Sequence, residues 1–247
     1  MKICVLVPAY NCAGTIEEVC RRITLPGSED EIIVVDDHSR DNTFEIASQL
    51  PRVFTYRNPI NLGYGGTSHR LYELALQHGA DLTVNIHGDL GHNPEEIQHL
   101  LEEFSHSQAD IAIGSRLLFL LSNLRKLGWG KMITSNDSRG GMPLIRFIGH
   151  VVLTSIQNLI YRSKLHSFHE GMRACRRPVI EWVIKADFPE DYAYDNELVY
   201  QAHRHGFKFC EVPVPPSYDP RAKTSSPPFR YGLLVMRQVI RVALTGK

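Results

Sequence analysis

The first half of the chain alternates short apolar runs with segments whose apolar residues recur at helical spacing. The apolar runs have the length of strands, and they predict five of them: Lys2–Val7, Glu31–Val35, Arg52–Tyr56, Leu82–Ile86 and Ile111–Ile113. Helices are predicted after Thr15, after Asp41, before Gly79 and after Asn93. Thr15 and Glu18 have the spacing of a capping box. Repeated strand–helix alternation is typical of an α/β fold, with a mostly parallel sheet covered by helices on both faces.

The second half has a different pattern, with longer apolar helices and fewer strands. The segment Leu117–Gly141 mixes apolar, small and basic residues and predicts a long loop. Helices are predicted at Pro143–Tyr161, Pro178–Ile184, Asn196–His205 and Tyr231–Leu244, and a strand at Lys208–Val214. Since no linker or repeat interrupts the chain, we expect one domain over residues 1–225. Residues 226–247 are expected to form an amphipathic helix, packed on that domain or at a membrane surface.

Composition narrows the function classes. Of the 247 residues, 27 are Lys or Arg and 27 are Asp or Glu, so no excess of positive charge favours nucleic acid. The five cysteines form no CxxC pair, which fits reduced thiols in the cytoplasm. The first apolar run is too short for a signal peptide, and no uncharged run approaches the ~20 residues of a membrane span. Membrane contact is therefore expected to be peripheral, on the cytoplasmic face; the sequence leaves the oligomeric state open.

Acidic side chains follow two of the predicted strands. Asp36 and Asp37 end the second strand, and His87 and Asp89 follow the fourth. The carboxyl ends of parallel strands share one sheet edge, where open α/β sheets bind ligands. Carboxylates there suit a hydrated divalent cation and a nucleotide ribose, which points to a nucleotide-using transferase. Alternatively, the aspartates serve as helix caps and turn formers, and the His87–Asp89 segment is a solvated turn.

The segment His87-Gly88-Asp89 is the candidate metal site. Residues two apart on an extended chain point the same way, and Gly88 lets a ligand approach the backbone. A single aspartate is a weak metal site, so Mg²⁺ or Mn²⁺ would take its other ligands from a diphosphate and water. Zinc-finger spacing, GxGxxG, the P-loop and GxSxG are all missing from the sequence, which disfavours structural zinc, dehydrogenases, P-loop ATPases and serine hydrolases.

Taken together, the motifs resemble those of family 2 glycosyltransferases, which have the GT-A fold. The motifs, in order, are Val7-Pro-Ala-Tyr-Asn11, Val34-Val-Asp-Asp-His-Ser39, Asn61-x-Gly-x-Gly65, His87-Gly-Asp-x-x-His-x-Pro94 and Gly114-Ser-Arg116. Later motifs resemble the branch containing dolichyl-phosphate mannose synthase and bacterial polyprenyl-phosphate sugar transferases: Glu170-Gly-Met-Arg173, Asp195-x-Glu197 and Glu211-Val-Pro213. The resemblance covers about residues 1–220.

The resemblance implies roles on the donor side. The donor-binding residues would be Pro8, Ala9, Tyr10, Asp36, Asp37, Gly65, His87, Gly88 and Asp89. Pro8, Ala9 and Tyr10 would border the nucleobase, and Asp37 would contact the base or ribose. The His87–Asp89 segment stands where the family has Asp-x-Asp, with Asp89 as the metal carboxylate and His87 as the second candidate ligand. The sequence departs from the family at His87, which replaces an acid, and at Gly91, where many members have Gln.

The resemblance also implies a catalytic and acceptor side. Arg116 would reach the donor diphosphate or the acceptor, and Arg173, Arg221 and Lys223 would bind the acceptor phosphate or the departing diphosphate. Asp195 and Glu197 are the candidate bases, which a hydroxyl acceptor needs and an anionic phosphate does not. The alternatives are that the two acids favour the helix dipole and that the basic residues are solvated surface charges.

The expected activity is inverting transfer of a hexose from a UDP- or GDP-linked sugar to an acceptor, with polyprenyl phosphate the leading choice. The alternatives are transfer to a soluble saccharide or small-molecule hydroxyl, and a nucleotide-sugar-binding protein without catalysis. Arg230, Arg237 and Arg241 form a basic stripe on the terminal helix. The stripe suits an anionic membrane surface, or a helix packed on the domain with its basic side in solvent. The apolar segments 117–121 and 144–159 would flank a lipid acceptor or pack in the core.

Overall fold

The computed structural model describes residues 1–133, 142, 144–217, 219, 221 and 228–245, and the side chains of 125–133, 228–230 and 245 are outside that description. Its strands are β1 (Ile3–Ala9), β2 (Glu31–Asp36), β3 (Val53–Arg57), β4 (Leu82–Asn85), β5 (Ile111–Ser115), β6 (Arg173–Arg176) and β7 (Phe209–Pro213). Its helices are α1 (Ile16–Arg22), α2 (Thr43–Ser48), α3 (Gly63–Gln77), α4 (Glu96–Ser105), α5 (Arg116–Ile133), α6 (Leu144–Tyr161), α7 (Arg177–Val183), α8 (Tyr194–His205) and α9 (Pro228–Thr245).

The strands described here form one sheet in the order β3-β2-β1-β4-β6-β5-β7. Neighbouring strands are parallel except at β6, which runs antiparallel to both β4 and β5. The prediction of a mostly parallel α/β sheet is therefore confirmed. The sequence analysis did not predict β6, because Arg-Ala-Cys-Arg is short, has arginine at both ends and lacks β-branched residues.

Helices cover both faces of the sheet, and the residues of β1 alternate between them. Val5 and Val7 pack in the cluster that contains the apolar stripes of α1 and α4. Cys4 and Leu6 pack in the other cluster, with residues of α3, α7, α8 and α9. Because both faces are buried, β1 reads as a continuous apolar run rather than an alternating one. The central strands are thus fixed between two cores, and their carboxyl ends are held in place.

Two local predictions about helices are wrong. Residues 117–133 continue helix α5 instead of forming a loop, with Leu117 and Leu120 buried on one side, and residues 134–141 lie outside the described part of the chain. Tertiary contacts of α5 with β7 and α6 outweigh the weak helical pattern of its sequence. The capping box is also not formed: the hydroxyl of Thr15 donates to the carbonyls of Gly88 and Cys12 rather than capping α1.

The glycine-rich segment Asn61–Gly66 is the start of a helix. Helix α3 begins at Gly63, within this segment, and Gly79 terminates it with a φ of 78°. Gly65 is needed for packing, because a Cβ there would lie 2.0 Å from the carbonyl oxygen of Pro189. The amide of Gly65 also donates to the carbonyl of Glu190, so the first turn of α3 is fixed against the segment before α8.

Candidate functional site

A cavity of about 510 Å³ opens at the carboxyl ends of β1, β2 and β4. Its volume is in the range of small-ligand sites. Both Asp37 and Asp89 line it, as do Pro8, Ala9, Tyr10, Asn11, Cys12, Gly14, Thr15, Asp41, Asn61, Gly63, Tyr64, Thr67, His87, Gly88, Tyr192 and Arg221. The central geometric expectation, that acids from separate strands meet in one cavity, agrees with the structure.

The Asp37 carboxylate has two roles: it makes hydrogen bonds within the fold, and it lines the cavity. Its Oδ1 accepts the backbone N–H of Leu62 at 2.7 Å and the amide of Asn58 at 2.8 Å. The carboxylate therefore lies at the N-terminus of α3, where negative charge is stabilised. The same side chain lines the cavity, so Asp37 holds α3 in place and faces the ligand space at once.

Asp36 has a different environment. It is fully buried, accepts the amide of Ser39 and pairs with Nε of Arg57 at 3.2 Å. It does not line the cavity, so the turn-forming alternative describes Asp36 better than donor binding.

The turn His87–Gly91 brings the candidate metal residues to the cavity. Gly88 is anchored by the hydroxyl of Thr15, which donates to its carbonyl at 2.8 Å. Asp89 accepts the amide of Gly91 at 2.9 Å, and Leu90 takes a φ of 61°, a strained value for a residue with a side chain. A Cβ at Gly91 would lie 2.9 Å from Oδ1 of Asp89. A larger residue at position 91 would therefore crowd this carboxylate, whereas glycine does not.

A chain of hydrogen bonds runs from His87 into the protein. The Tyr64 hydroxyl lies 3.2 Å from Nε2 of His87 and 2.9 and 3.0 Å from the two carboxylate oxygens of Asp195. Asp195 in turn pairs with Nη2 of Arg173 at 2.7 Å. The predicted base Asp195 thus acts structurally as the counter-ion of a buried arginine.

Arg173 lies behind the cavity rather than in its wall. It is fully buried, and its pKa is raised well above the usual value: burial lowers it, but Asp195 and the surrounding tyrosine and cysteine side chains outweigh burial. Its Nε and Nη1 have no hydrogen-bond partner among the described residues. The structure therefore gives Arg173 a role in placing Asp195, and phosphate binding by its side chain stays a prediction.

Arg116 is held by a buried carboxylate. Its Nε lies 2.7 Å from Oε2 of Glu170, and its backbone amide donates to Oε1 at 3.2 Å. Burial acts to raise the pKa of Glu170, but Arg116 and the nearby His92 lower it below its usual range. Arg116 does not line the cavity, so the structure shows a partner for its charge rather than a contact with the donor.

Of the four remaining predicted residues, one lines the cavity. Arg221 lines the cavity and pairs with Glu18 at 2.9 Å. Glu197 faces away from the cavity, because it pairs with Arg241 of α9, and its assignment as a base has no support in this geometry. Gly65 lines a separate cavity on the other side of α3, and Lys223 lies outside the described residues.

The sequence analysis missed Tyr64 and Tyr192, which stack in the cavity wall with ring centroids 6.0 Å apart. Tyr64 lies within the glycine-rich motif, at a variable position to which the motif assigns no role. Cys12 also lines the cavity, but burial raises the pKa of its thiol to about 12, which rules against a thiolate nucleophile.

The cavity fits a cation that shares its ligands with a substrate. Within the described residues, no three His, Cys, Asp or Glu side chains are grouped closely enough to hold a metal by themselves. Asp89 and His87 line the same cavity, however, and Mg²⁺ and Mn²⁺ commonly take one or two protein ligands with the rest from substrate phosphates and water. The residues present therefore suit a metal bound together with a diphosphate.

Comparison with known proteins identifies a family. The family model described as glycosyl transferase family 2 matches residues 4–183. The chain is 26% identical over 216 residues to polyprenol monophosphomannose synthase of Mycolicibacterium smegmatis, covering 85% of this chain and 75% of the relative. It is 23% identical over 232 residues to UDP-N-acetylglucosamine--dolichyl-phosphate N-acetylglucosaminyltransferase of Methanococcus voltae, covering 87% and 86%.

A solved structure supports the fold. Glucosyl-3-phosphoglycerate synthase of Mycobacterium tuberculosis, in complex with Mn²⁺, UDP and phosphoglyceric acid, superposes with a TM-score of 0.66 at 19% identity. The match covers 99% of this chain and 78% of that one. With the family match over most of the chain, the α/β sheet described above is a GT-A fold, and the chain belongs to glycosyl transferase family 2.

Proposed function

We propose that this glycosyltransferase moves a hexose from a UDP- or GDP-linked sugar to a polyprenyl phosphate, with inversion at the anomeric carbon. The observation that carries the donor half is the cavity shared by Asp37, after β2, and Asp89, after β4, on either side of the central strand β1. The acceptor half is supported by the named relatives, which include synthases acting on polyprenol and dolichyl phosphate.

Donor binding divides along the cavity. Pro8 and Ala9 end β1, Tyr10 follows it, and with Asp37 these residues form the wall assigned to the nucleoside. Asp89 and His87 form the wall assigned to the metal and diphosphate, with Arg221 at its edge. A bound Mg²⁺ or Mn²⁺ would stabilise the negative charge of the leaving nucleoside diphosphate.

The state of Asp195 favours a phosphate acceptor. Its carboxylate accepts a hydrogen bond from Tyr64 and forms an ion pair with Arg173. Asp195 does not line the cavity. A hydroxyl acceptor needs a base within hydrogen-bond reach, whereas a phosphate is already anionic. An acceptor that needs no base fits this arrangement better than a soluble hydroxyl does.

Helix α6 presents an apolar surface suited to a lipid acceptor. Five of its side chains are 49% to 81% exposed: Leu144, Ile145, Ile148, Val152 and Leu159. At 3.6 residues per turn they fall within about 100° of the helix circumference. One side of this helix is therefore exposed rather than packed in the core, which favours the alternative that residues 144–159 flank a lipid acceptor. Exposed apolar side chains that predominate on one side of a helix are typical of a docking surface.

The neighbouring helix α9 carries a similar stripe with a positive charge beside it. Leu233, Ile240 and Leu244 are more than half exposed, and Arg237 is also exposed near them. Helices α6 and α9 pack against each other. Apolar side chains next to arginine suit the surface of an anionic bilayer, and we assign that partner to the α6–α9 face.

By length and hydropathy, α6 is the one helix in the described residues that could cross a membrane, with a mean hydropathy of 1.3 over 18 residues. This finding qualifies the expectation that no segment approaches a span. One face of α6 is nevertheless attached to the domain: Gln157 is buried and donates to Asn196 of α8 at 2.8 Å. We therefore assign α6 to the membrane surface rather than to a span.

The test is transfer itself. Purified protein is incubated with UDP- or GDP-linked hexoses and with undecaprenyl or dolichyl phosphate in mixed vesicles, with Mn²⁺ or Mg²⁺ and with EDTA. We expect a glycolipid product whose formation EDTA abolishes. Transfer only to soluble saccharides or small hydroxyl compounds would overturn the acceptor, and tight nucleotide binding without metal-dependent turnover would indicate a binding protein.

A further inference from the structure

We propose that Tyr64 is a positioning residue, which fixes the tautomer of His87 so that its Nδ1 serves as a metal ligand and favours Mn²⁺ over Mg²⁺. This inference rests on the proposed function, since it concerns the metal that would accompany the donor diphosphate. It goes further by assigning a role to Tyr64 and a cation preference to the site.

The Nε2 edge of the His87 ring is enclosed by protein. The Tyr64 hydroxyl lies 3.2 Å from Nε2. On the other side, a Cβ at Gly171 would lie 2.2 Å from Nε2 and 2.8 Å from Cε1, so only glycine leaves space for the ring. This edge therefore has no room for a ligand.

The opposite nitrogen is open. None of the described residues hydrogen-bonds Nδ1 of His87, and this atom is not among the buried polar atoms that lack a partner. His87 itself lines the cavity together with Asp89. Nδ1 is thus the ring nitrogen left available for a ligand.

The hydrogen-bond chain decides which nitrogen carries the proton. The Tyr64 hydroxyl has one proton, and Asp195 is an acceptor only, so the hydroxyl donates to that carboxylate. The Tyr64 oxygen then accepts from His87, which requires a proton on Nε2 and leaves a lone pair on Nδ1.

This arrangement is the one that metal-binding histidines adopt. A histidine ligand normally donates its other ring N–H to a neighbouring group, which fixes its orientation and tautomer. The position of His87 is the one at which the resembled family has an acid. Replacing a carboxylate by an imidazole favours first-row transition-metal ions such as Mn²⁺ or Co²⁺, which accept nitrogen ligands more readily than Mg²⁺ does.

The test uses metal binding rather than turnover. Mn²⁺ affinity is measured by electron paramagnetic resonance of the free ion in the presence of UDP or GDP, and Mg²⁺ affinity by competition. The variants are Tyr64→Phe, His87→Asp and the double variant. The matched control is Tyr56→Phe, which removes a tyrosine hydroxyl 2.7 Å from Nε2 of His78 at a distant edge of the sheet.

We expect Tyr64→Phe to weaken Mn²⁺ binding about 10- to 100-fold, the usual effect of losing such a supporting group. Tyr56→Phe should leave Mn²⁺ affinity unchanged. His87→Asp should shift the Mn²⁺-to-Mg²⁺ affinity ratio toward Mg²⁺. In the His87→Asp background, Tyr64→Phe should have little further effect, because the tautomer it controls is gone.

A second measurement is independent of metal. Histidine-selective ¹⁵N labelling of the metal-free protein reports the tautomer of each neutral ring, and the spectrum of His87→Asp identifies the His87 signal. We expect the Nε2–H form. An Nδ1–H form, or Mn²⁺ affinity that Tyr64→Phe leaves unchanged, would overturn the proposal. Either result could accompany normal glycosyl transfer, so its failure is distinguishable from failure of the proposed function.

Discussion

The donor edge of the sheet and the segments behind it are built in different ways. At the donor edge, the candidate residues lie at or shortly after the carboxyl ends of their strands, and the parallel strands β2 and β4, on either side of β1, bring Asp37 and Asp89 into one cavity. Behind it, charged groups meet across long stretches of chain, as in the pairs Arg173–Asp195 and Arg116–Glu170. The first region presents side chains to a ligand, and the second pairs its charges internally.

This difference predicts different consequences of substitution. A carboxylate that faces a cavity is solvated when no ligand is bound, so removing it should cost activity and little stability. A charge that is buried against a partner cannot be left alone without a large loss of stability. Comparing transfer rates with unfolding free energies therefore separates the two regions experimentally.

Asp89→Ala should have the largest effect. Losing the metal carboxylate removes several kcal/mol of transition-state stabilisation, about 10³-fold in rate. Transfer is measured with saturating donor, and stability by urea unfolding, which should be nearly unchanged. The control is Asp81→Ala, just before the opposite end of the same strand β4 and half exposed. Normal transfer by Asp89→Ala would remove this residue from the mechanism.

Glu170→Gln tests the other region through stability. We expect a loss of about 2–3 kcal/mol at pH 7, because Arg116 loses a buried partner. The pKa of Glu170 is lowered in the folded state, so its contribution is present above its ordinary value of 4.5 and is lost as the pH falls below it. The difference between the two proteins, measured by urea unfolding, should therefore shrink between pH 5 and pH 3.

The control for Glu170 is Glu95→Gln. Glu95 pairs with Arg22 at the surface and is half exposed, so its loss should cost about 0.5 kcal/mol or less. A Glu170→Gln protein as stable as the parent at pH 7, or a difference as large at pH 3 as at pH 7, would contradict the assigned pairing.

The donor edge was predictable because local rules determine it. The period of two along a strand and the position of acids after β2 and β4 place those side chains without knowledge of the rest of the fold. The same rules could not distinguish Asp36 from Asp37: one is buried against Arg57 and the other lines the cavity.

The region behind the donor edge was harder to predict because its contacts are non-local. Strand β6 owes its place to pairing with β4 and β5 on either side, and Arg173 within it is stabilised by Asp195 of α8. Helix α5 likewise depends on packing against β7 and α6. Tyr64 contacts both regions, and no motif assigned it a function, since its role depends on His87 and Asp195 together.

The α6–α9 face gives a smaller expected effect. Replacing Ile145, Ile148 and Leu159 by serine removes three exposed apolar side chains, which should weaken binding to anionic vesicles at least about tenfold. Co-sedimentation with phosphatidylglycerol vesicles measures this, with Ile60→Ser, another exposed isoleucine, as control. Soluble-donor binding should be unchanged. Equal vesicle binding by all three proteins would rule out this face as the membrane contact.

Asp195→Asn should have the smallest effect on transfer. Asp195 contacts both regions, since it binds Tyr64 in the cavity wall and the buried Arg173 behind it. Asparagine keeps the shape that Tyr64 and Arg173 contact but loses the charge, so part of the effect is on stability, and rates must be taken per folded molecule. With polyprenyl phosphate we expect less than a tenfold loss of rate, because an anionic acceptor needs no base. A hydroxyl acceptor would lose at least about 100-fold. A folded but inactive Asp195→Asn enzyme with a confirmed lipid-phosphate substrate would show that this carboxylate does more than hold Arg173.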